Sequence, residues 1–331
     1  MPRPKNKSFL ILILLPLLLA GCAQKQQAEP LSSSRLLLDT VCTLTLYEPA
    51  DKELLEQALD LCAEYDALFS RTKEGSNIWR VNHAEGEVVP VEPSTAALVK
   101  AGLDHGVFSG GLFDITIGRL SALWDFGGSP KLPTPRELAA ACATVDFTRV
   151  TVTENTVQLA EKEARLDMGG IAKGYIADRL AAFLKEHGVK SAVIDLGGNI
   201  LIVGDRPGGG LWRIGVEQPF SGRSELIGVL LTAEASVVTS GIYERQFVEK
   251  GVLYHHILDP RSGLPVKSDV ISATVVTQSS MVGDALSTIV ILAGSEGAEA
   301  LLKQAPGFIG AVLMLESGEL LQYGDIDFKE L

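Results

Sequence analysis

Three short stretches carry the residue types that phosphate chemistry needs. Asp167-Met168-Gly169-Gly170-Ile171-Ala172-Lys173-Gly174-Tyr175 sets one carboxylate, three glycines and one lysine into a turn before an apolar helix. Glycines let the main chain approach a ligand closely, and a helix start with a lysine favours an anion such as phosphate. A Gly-Gly pair also marks ordinary tight turns, and a lysine there is equally at home on a surface. Asp167 suits two roles, capping the turn or accepting hydrogen bonds from the ring edge of a bound nucleotide. Further on, Asp284 and Thr288 stand four apart on an expected helix and so share a face. With main-chain carbonyls and phosphate oxygens they make the all-oxygen set that magnesium takes. The same pair also reads as an Asp favoured by the helix dipole and a Thr bonding back to its own turn.

The third stretch is His255-His256-Ile257-Leu258-Asp259-Pro260-Arg261-Ser262-Gly263. His256 is the candidate general base, because imidazole titrates near neutral pH. The Asp-Pro and Ser-Gly pairs predict a sharp, rigid turn, and Asp259 and Arg261 also fit plain turn chemistry. Strand alternation sends His255 to the opposite face, where it is expected at the surface. Phe113 and Asp114, after Gly110-Gly111, could hold a planar ring or could be a core Phe beside a capping Asp. A strand-turn-helix GxGxxG unit, a GxSxG elbow and an HExxH motif are all missing from the sequence.

The elements that must position these groups follow from periodicity. Residues 36–47 alternate like a strand. Residues 51–69 carry apolar side chains at helical spacing, 94–109 make a second helix, and 70–82 read as a polar loop. Residues 150–153 and 156–159 flank Glu154-Asn155 as a hairpin. A helix is expected over 171–188, closed by Gly188. Strands are expected over 191–196, 212–217, 225–232, 236–239, 271–276 and 311–315, with helices over 281–292 and 298–304. Strands outnumber helices and many connect by short turns, which predicts an α+β fold of mixed and antiparallel sheets with packed helices. The body reads as one intertwined unit, with room for a cleft between two lobes.

Arg3, Lys5 and Lys7 precede an apolar run of about a dozen residues, short for a membrane span and typical of a secretory signal. Leu19-Ala20-Gly21-Cys22 resembles a lipobox, so residues 1–21 are expected to be a signal peptide and Cys22 the lipidated (palmitate-bearing) first residue. Residues 22–34 read as a flexible tether, and residues 35–331 as one globular body. The chain has a net charge of −12, and losing the three early cations leaves about −15. That argues against nucleic acid as a partner. Cys42, Cys62 and Cys142 have no metal-type spacing and read as buried thiols, with one disulfide between two of them as the alternative in an oxidising compartment.

The assembled motifs resemble the ApbE family of FAD:protein FMN transferases over about residues 36–323. The resemblance is carried by Leu38-Asp39-Thr40, Phe113-Asp114-Ile115-Thr116-Ile117-Gly118, the 167–174 turn, Asp195-Leu196-Gly197-Gly198-Asn199, Thr239-Ser240-Gly241, the His256 to Gly263 run and Asp284 to Thr288. It implies magnesium-dependent transfer of FMN from FAD to a Ser or Thr hydroxyl of an acceptor flavoprotein, with release of AMP. On this resemblance Gly170 (by its carbonyl), Asp284 and Thr288 would hold magnesium or manganese. Asp167, Lys173, Leu112, Phe113, Asp114, Leu258, Leu38 and Thr72 would contact FAD, and His256 would be the base. The acceptor would be a subunit of a membrane redox complex, and the enzyme would be lipid-anchored on the extracytoplasmic face of the cell membrane. The family's common Met is Leu38 here and its common Ala is Gly170; a carbonyl ligand does not depend on the side chain. Two other readings stand beside this one: a magnesium-dependent FAD pyrophosphatase yielding FMN and AMP, and a lipoprotein that binds flavin without catalysis.

Overall fold

The structure, a computed structural model, describes residues 1–2, 29–221 and 225–331. The informative part of the predicted signal, Cys22 and most of the predicted tether lie outside the described residues. The chain begins with a hairpin of β1 (Leu31–Leu37) and β2 (Thr40–Glu48), then α1 (Lys52–Phe69), α2 (Asn77–Asn82), β3 (Val89–Pro90), α3 (Pro93–Phe108), α4 (Gly118–Trp124) and α5 (Pro135–Cys142). Next come β4 (Val150–Val152), β5 (Thr156–Leu159), α6 (Ala172–Glu186), β6 (Ser191–Leu196), β7 (Asn199–Val203), β8 (Trp212–Glu217), β9 (Leu226–Thr232) and β10 (Ser236–Gly241). The last part holds β11 (Gln246–Glu249), β12 (Val252–His255), β13 (Val270–Thr277), α7 (Ser280–Gln304), β14 (Phe308–Leu315), β15 (Leu320–Gly324) and β16 (Asp327–Glu330).

The expected α+β class is what the chain adopts. Eight strands form one sheet in the order β1-β2-β6-β7-β10-β13-β14-β15, antiparallel at every pairing. Strand alternation splits its side chains between two cores. On one face Cys42, Leu44, Leu46, Ala192, Ile194 and Leu196 pack with Leu55, Ala58 and Leu59 of α1 and Ile176 and Leu180 of α6. On the other, Val193, Ile200, Val237 and Val276 meet Trp212, Ile214 and Leu230 from the small sheet β16-β9-β8. Helices, large sheet and small sheet are thus three layers. A separate aromatic cluster joins Leu120 and Trp124 of α4 to Phe247 and Tyr254 of the β11–β12 hairpin and to Leu258.

Four local expectations are corrected. Leu31–Ser34, assigned to the tether, are part of β1. This strand is held by a hydroxyl ladder, Ser32–Thr45 at 3.0 Å and Ser34–Thr43 at 2.8 Å, and by Arg35 bridging Glu56 and Asp60, so apolar patterning does not reveal it. The polar stretch 70–82 is not all loop: Ser76 caps α2, accepting from the Trp79 N–H at 3.0 Å, and the helix buries Asn77 and Asn82. The two late helices are one element broken at Gly294, where φ is 71°. His255 is buried, at 6 % exposure, because the segment after it folds back and Val266 donates to the Ile257 carbonyl at 2.9 Å.

Candidate active site

A cleft of about 500 Å³ opens beside the large sheet. All twelve residues singled out from sequence as catalytic, flavin-binding or metal-binding line it, drawn from six segments distant in the chain. Leu38 lies in the β1–β2 turn, Thr72 after α1, and Leu112, Phe113 and Asp114 between α3 and α4. Asp167, Gly170 and Lys173 lead into α6, His256 and Leu258 follow β12, and Asp284 and Thr288 are on α7. Leu38 and Asp39 both have left-handed backbone, φ 55° and 57°, as a two-residue hairpin turn requires. For a bulky Leu this conformation is costly, so turn geometry rather than side-chain preference sets its place at the cleft.

The segment leading to the glycine turn is clamped from two sides. Asn82 donates to the Leu166 carbonyl at 2.9 Å and accepts from the Leu166 N–H at 2.6 Å, while Asp167 N–H reaches the Ile115 carbonyl at 2.8 Å. Asp167 then does what a turn cap does: one carboxylate oxygen accepts from Gly169 N–H at 2.9 Å. The other pairs with the Arg71 guanidinium at 3.3 Å. Asp114 is engaged as well, accepting from Thr116 N–H, the Thr116 hydroxyl and Phe147 N–H at 2.7, 2.6 and 3.1 Å. Burial pushes its carboxyl up, against those hydrogen bonds. Its oxygens hold the loop that brings Leu112 and the Phe113 ring to the cleft. That ring lies against Gly170: a Cβ there would sit 2.8 Å from the Phe113 Cε2. An alanine at 170 therefore needs the ring to shift.

α6 and α7 are clasped at their starts. Asp178 accepts from Ser280 N–H, the Ser279 hydroxyl and Met281 N–H at 2.8, 2.6 and 3.1 Å. Gly174 permits the approach, since a Cβ on it would meet the Ser280 carbonyl oxygen at 2.3 Å. Its N–H donates to Asp284 Oδ2 at 2.9 Å. Asp284 is 3 % exposed, and burial pushes its carboxyl up while Lys173 and the Gly174 N–H pull it down. Thr288, one turn on, lies 3.5 Å from the Ser240 hydroxyl. Asn199 takes the Ser280 hydroxyl at 2.6 Å and also favours the charged form of Asp284, yet its buried Nδ2 meets no acceptor at normal hydrogen-bond geometry. Among the described residues no three His, Cys, Asp or Glu side chains cluster as a metal cage. One buried carboxylate with alcohols beside it suits instead a hard cation that takes the rest of its shell from water and ligand phosphates. The donor set fits magnesium.

His256 donates its main-chain N–H to the Arg245 carbonyl at 3.1 Å, and its ring Nδ1 is enclosed without a partner. Burial lowers its pKa to about 4, helped by the charges of Arg245, His255 and Lys173. The imidazole is therefore neutral at physiological pH, the form a base requires. The turn that follows is rigid. Gly263 N–H bonds the Asp259 carbonyl at 2.8 Å, Trp124 Nε1 donates to the Gly263 carbonyl at 2.8 Å, and Arg261 holds Asp259 at 3.0 Å. Asp259 and Arg261 thus have the turn role.

A sequence model of the ApbE family matches residues 38–313. The chain belongs to the ApbE family. Its relatives include the FAD:protein FMN transferases of Treponema pallidum, 33% identical over 308 residues (87% of this chain, 85% of that protein), and of Klebsiella pneumoniae, 34% identical over 294 residues (88% and 90%). The crystal structure of the ApbE protein from Thermotoga maritima superposes with a TM-score of 0.82 at 28% identity, covering 89% of this chain and 97% of that one. The flavin transferase ApbE from Vibrio cholerae gives 0.78 at 28% identity, with the same coverage. This ApbE chain also brings to its cleft residues that carried no assigned role in the sequence: Arg71, Ser240 and Arg245 line it, and Asn82, Asp178 and Asn199 brace it. Arg71 and Arg245 look like surface charges in a linear reading. Asn82 has a signal only in hindsight, as an amide that turns out to be buried, whereas Asn199 ends the Asp195–Asn199 motif of the resemblance without a role assigned to it.

Proposed function

We propose that this protein transfers FMN from FAD to a Ser or Thr hydroxyl of an acceptor flavoprotein, releasing AMP, in a magnesium-dependent reaction. The observation that carries the reading is the meeting, in one cleft, of a neutral imidazole whose Nδ1 is enclosed and a buried carboxylate with alcohol neighbours. Asp284, Thr288 and the Gly170 carbonyl would hold the magnesium. Bound there, the ion would neutralise charge on the FAD diphosphate and orient the phosphorus for in-line attack. Lys173, at the start of α6, adds a cation and a helix N-terminus for the same phosphates. Phe113 and Leu38 offer apolar surface for a ring. His256 takes the proton of the acceptor hydroxyl as its oxygen attacks.

The enzyme would work as a lipoprotein anchored through Cys22 on the extracytoplasmic face of the cell membrane, next to an acceptor subunit of a membrane redox complex. The test is to incubate purified protein with FAD, with and without magnesium, in the presence of a candidate acceptor. Transfer predicts AMP release together with an FMN mass increment on the acceptor. FAD retained intact with magnesium present overturns the enzymatic reading, and free FMN without acceptor labelling overturns transfer in favour of hydrolysis.

A further inference from the structure

Three fixed cations line the cleft: Arg71, Lys173 and Arg245. Arg71 is paired with Asp167 at 3.3 Å, and Lys173 offsets the buried charge of Asp284. Arg245 has no comparable partner. Its one ion pair among the described residues is with Asp39 Oδ2 at 3.8 Å, and the side chains are 44% and 88% exposed. A pair that long and that wet holds little. The main chain of Arg245 is by contrast fixed. Its carbonyl accepts the His256 N–H at 3.1 Å, and the next residue, Gln246, stands opposite His255 in the β11–β12 ladder. Arg245 and His256 are therefore cross-strand neighbours at the base of one hairpin, both facing the cleft.

A guanidinium beside a general base works against it, because it opposes the imidazolium the base must become. The opposition disappears when an anion lies between the two. Arginine presents a planar fork that matches phosphate oxygens two at a time, which a lysine does not. In a transfer reaction, the group next to the base is the phosphoryl under attack. We propose that Arg245 grips the flavin-side phosphate, the one that is transferred, and that Asp39 holds the guanidinium at the rim until that phosphate arrives. The proposal rests on the flavin-transfer reading and adds a substrate-binding residue to it. In the step it serves, the acceptor oxygen bonds to the flavin-side phosphorus and the bond from that phosphorus to the bridging oxygen breaks. The hydroxyl proton passes to His256, and AMP leaves with the bridging oxygen and its electron pair. Arg245 holds the oxygens that stay on the transferred phosphorus.

The experiment compares FMN with riboflavin, which differ by that phosphate alone, binding to the full protein by quenching of flavin fluorescence. Wild-type protein is expected to bind FMN more tightly than riboflavin. Arg245→Ala should weaken FMN by about 10- to 100-fold, the range for a charged hydrogen-bonded contact, and leave riboflavin unchanged. Arg245→Lys should fall between, and Asp39→Asn should leave FMN as tight or tighten it. An Arg245→Ala protein with the wild-type FMN-to-riboflavin ratio overturns the proposal while flavin binding itself stands, as does a wild type that does not discriminate the two. A wild type that binds neither flavin nor FAD overturns the transfer reading instead. Loss of both ligands in Arg245→Ala but not in Arg245→Lys, with a lowered melting temperature, assigns the arginine to the fold and also overturns the proposal.

Discussion

Gly174→Ala sets two physical effects against each other with opposite signs. Gly174 is the third residue of α6, and in a helix alanine is favoured over glycine by up to about 1 kcal/mol. Propensity alone therefore predicts a more stable protein. The packing predicts the reverse. A Cβ at 174 would lie 2.3 Å from the Ser280 carbonyl oxygen and 2.6 Å from the Met281 Cα, both backbone atoms that cannot rotate away. Relief needs the start of α7 to move by about 1 Å, a displacement of the overpacking kind that costs about 1–3 kcal/mol. That start is pinned by Asp178 through Ser280 N–H at 2.8 Å and Met281 N–H at 3.1 Å. The move also stretches the 2.9 Å bond from Gly174 N–H to Asp284, and weakening one charged hydrogen bond costs about 1.5–3 kcal/mol. The net expectation is destabilisation of about 3 kcal/mol, read as a lower urea midpoint with an unchanged slope. Magnesium-dependent AMP release should fall with it, because Asp284 moves too. A variant as stable as wild type, or more stable, would show that the two helices do not approach this closely. The account of how Asp284 is placed would then fail.

Asp284→Asn keeps an acceptor for Gly174 N–H but removes a charge that burial disfavours, so the metal-free protein should be as stable or up to about 1 kcal/mol more stable while magnesium-dependent AMP release is lost. Full turnover of this variant at limiting magnesium would remove the metal assignment. His256→Ala should slow transfer by about 100-fold or more and change FAD affinity by less than about threefold, measured by single-turnover kinetics and flavin fluorescence. His255 and His256 both have pKa values lowered to about 4 from an ordinary 6.5, so the folded state binds fewer protons than the unfolded one between those limits. Stability should be level above about pH 6.5 and fall by up to about 3 kcal/mol per histidine toward pH 4; urea midpoints that do not fall between pH 7.5 and 5 would contradict the burial of both rings.

What could be read from the sequence divides along physical lines. Elements with a clean apolar period were legible: α1, capped by Asp51, and α6, closed near Gly188, came within a residue or two of their observed limits. The α+β class followed from short turns between strands. β1 was missed because hydroxyls and an arginine hold it, and α2 because it is only six residues long and two of its four buried side chains are asparagines. Candidate site residues were found where chemistry needs a distinctive type, such as Asp284 or His256, or where the family resemblance pointed to them. The residues that brace them were not. Asn82 contacts Leu166 across 84 positions and Asp178 contacts Ser280 across 102, and no local pattern encodes a partner that distant.

The charges of the cleft explain why such bracing is needed. Burial pushes Asp284 toward its neutral form, and burial with Arg245, His255 and Lys173 pushes His256 away from its charged one. On the proposed roles, each group is thus held in an environment that works against the charge it would carry. A cation beside Asp284 and a diphosphate between Lys173 and Arg245 would each remove one of those conflicts, so bound ligands would complete an electrostatic balance that the chain leaves open. Such an arrangement persists only if the backbone cannot relax around it. The Asn82 clamp on Leu166, the Asp178 clasp on α7 and the Gly263 turn sealed by Trp124 each fix one approach to the cleft with ordinary hydrogen bonds made outside it. Rigidity is supplied from outside the cleft, which leaves the side chains lining it free to be chosen for chemistry.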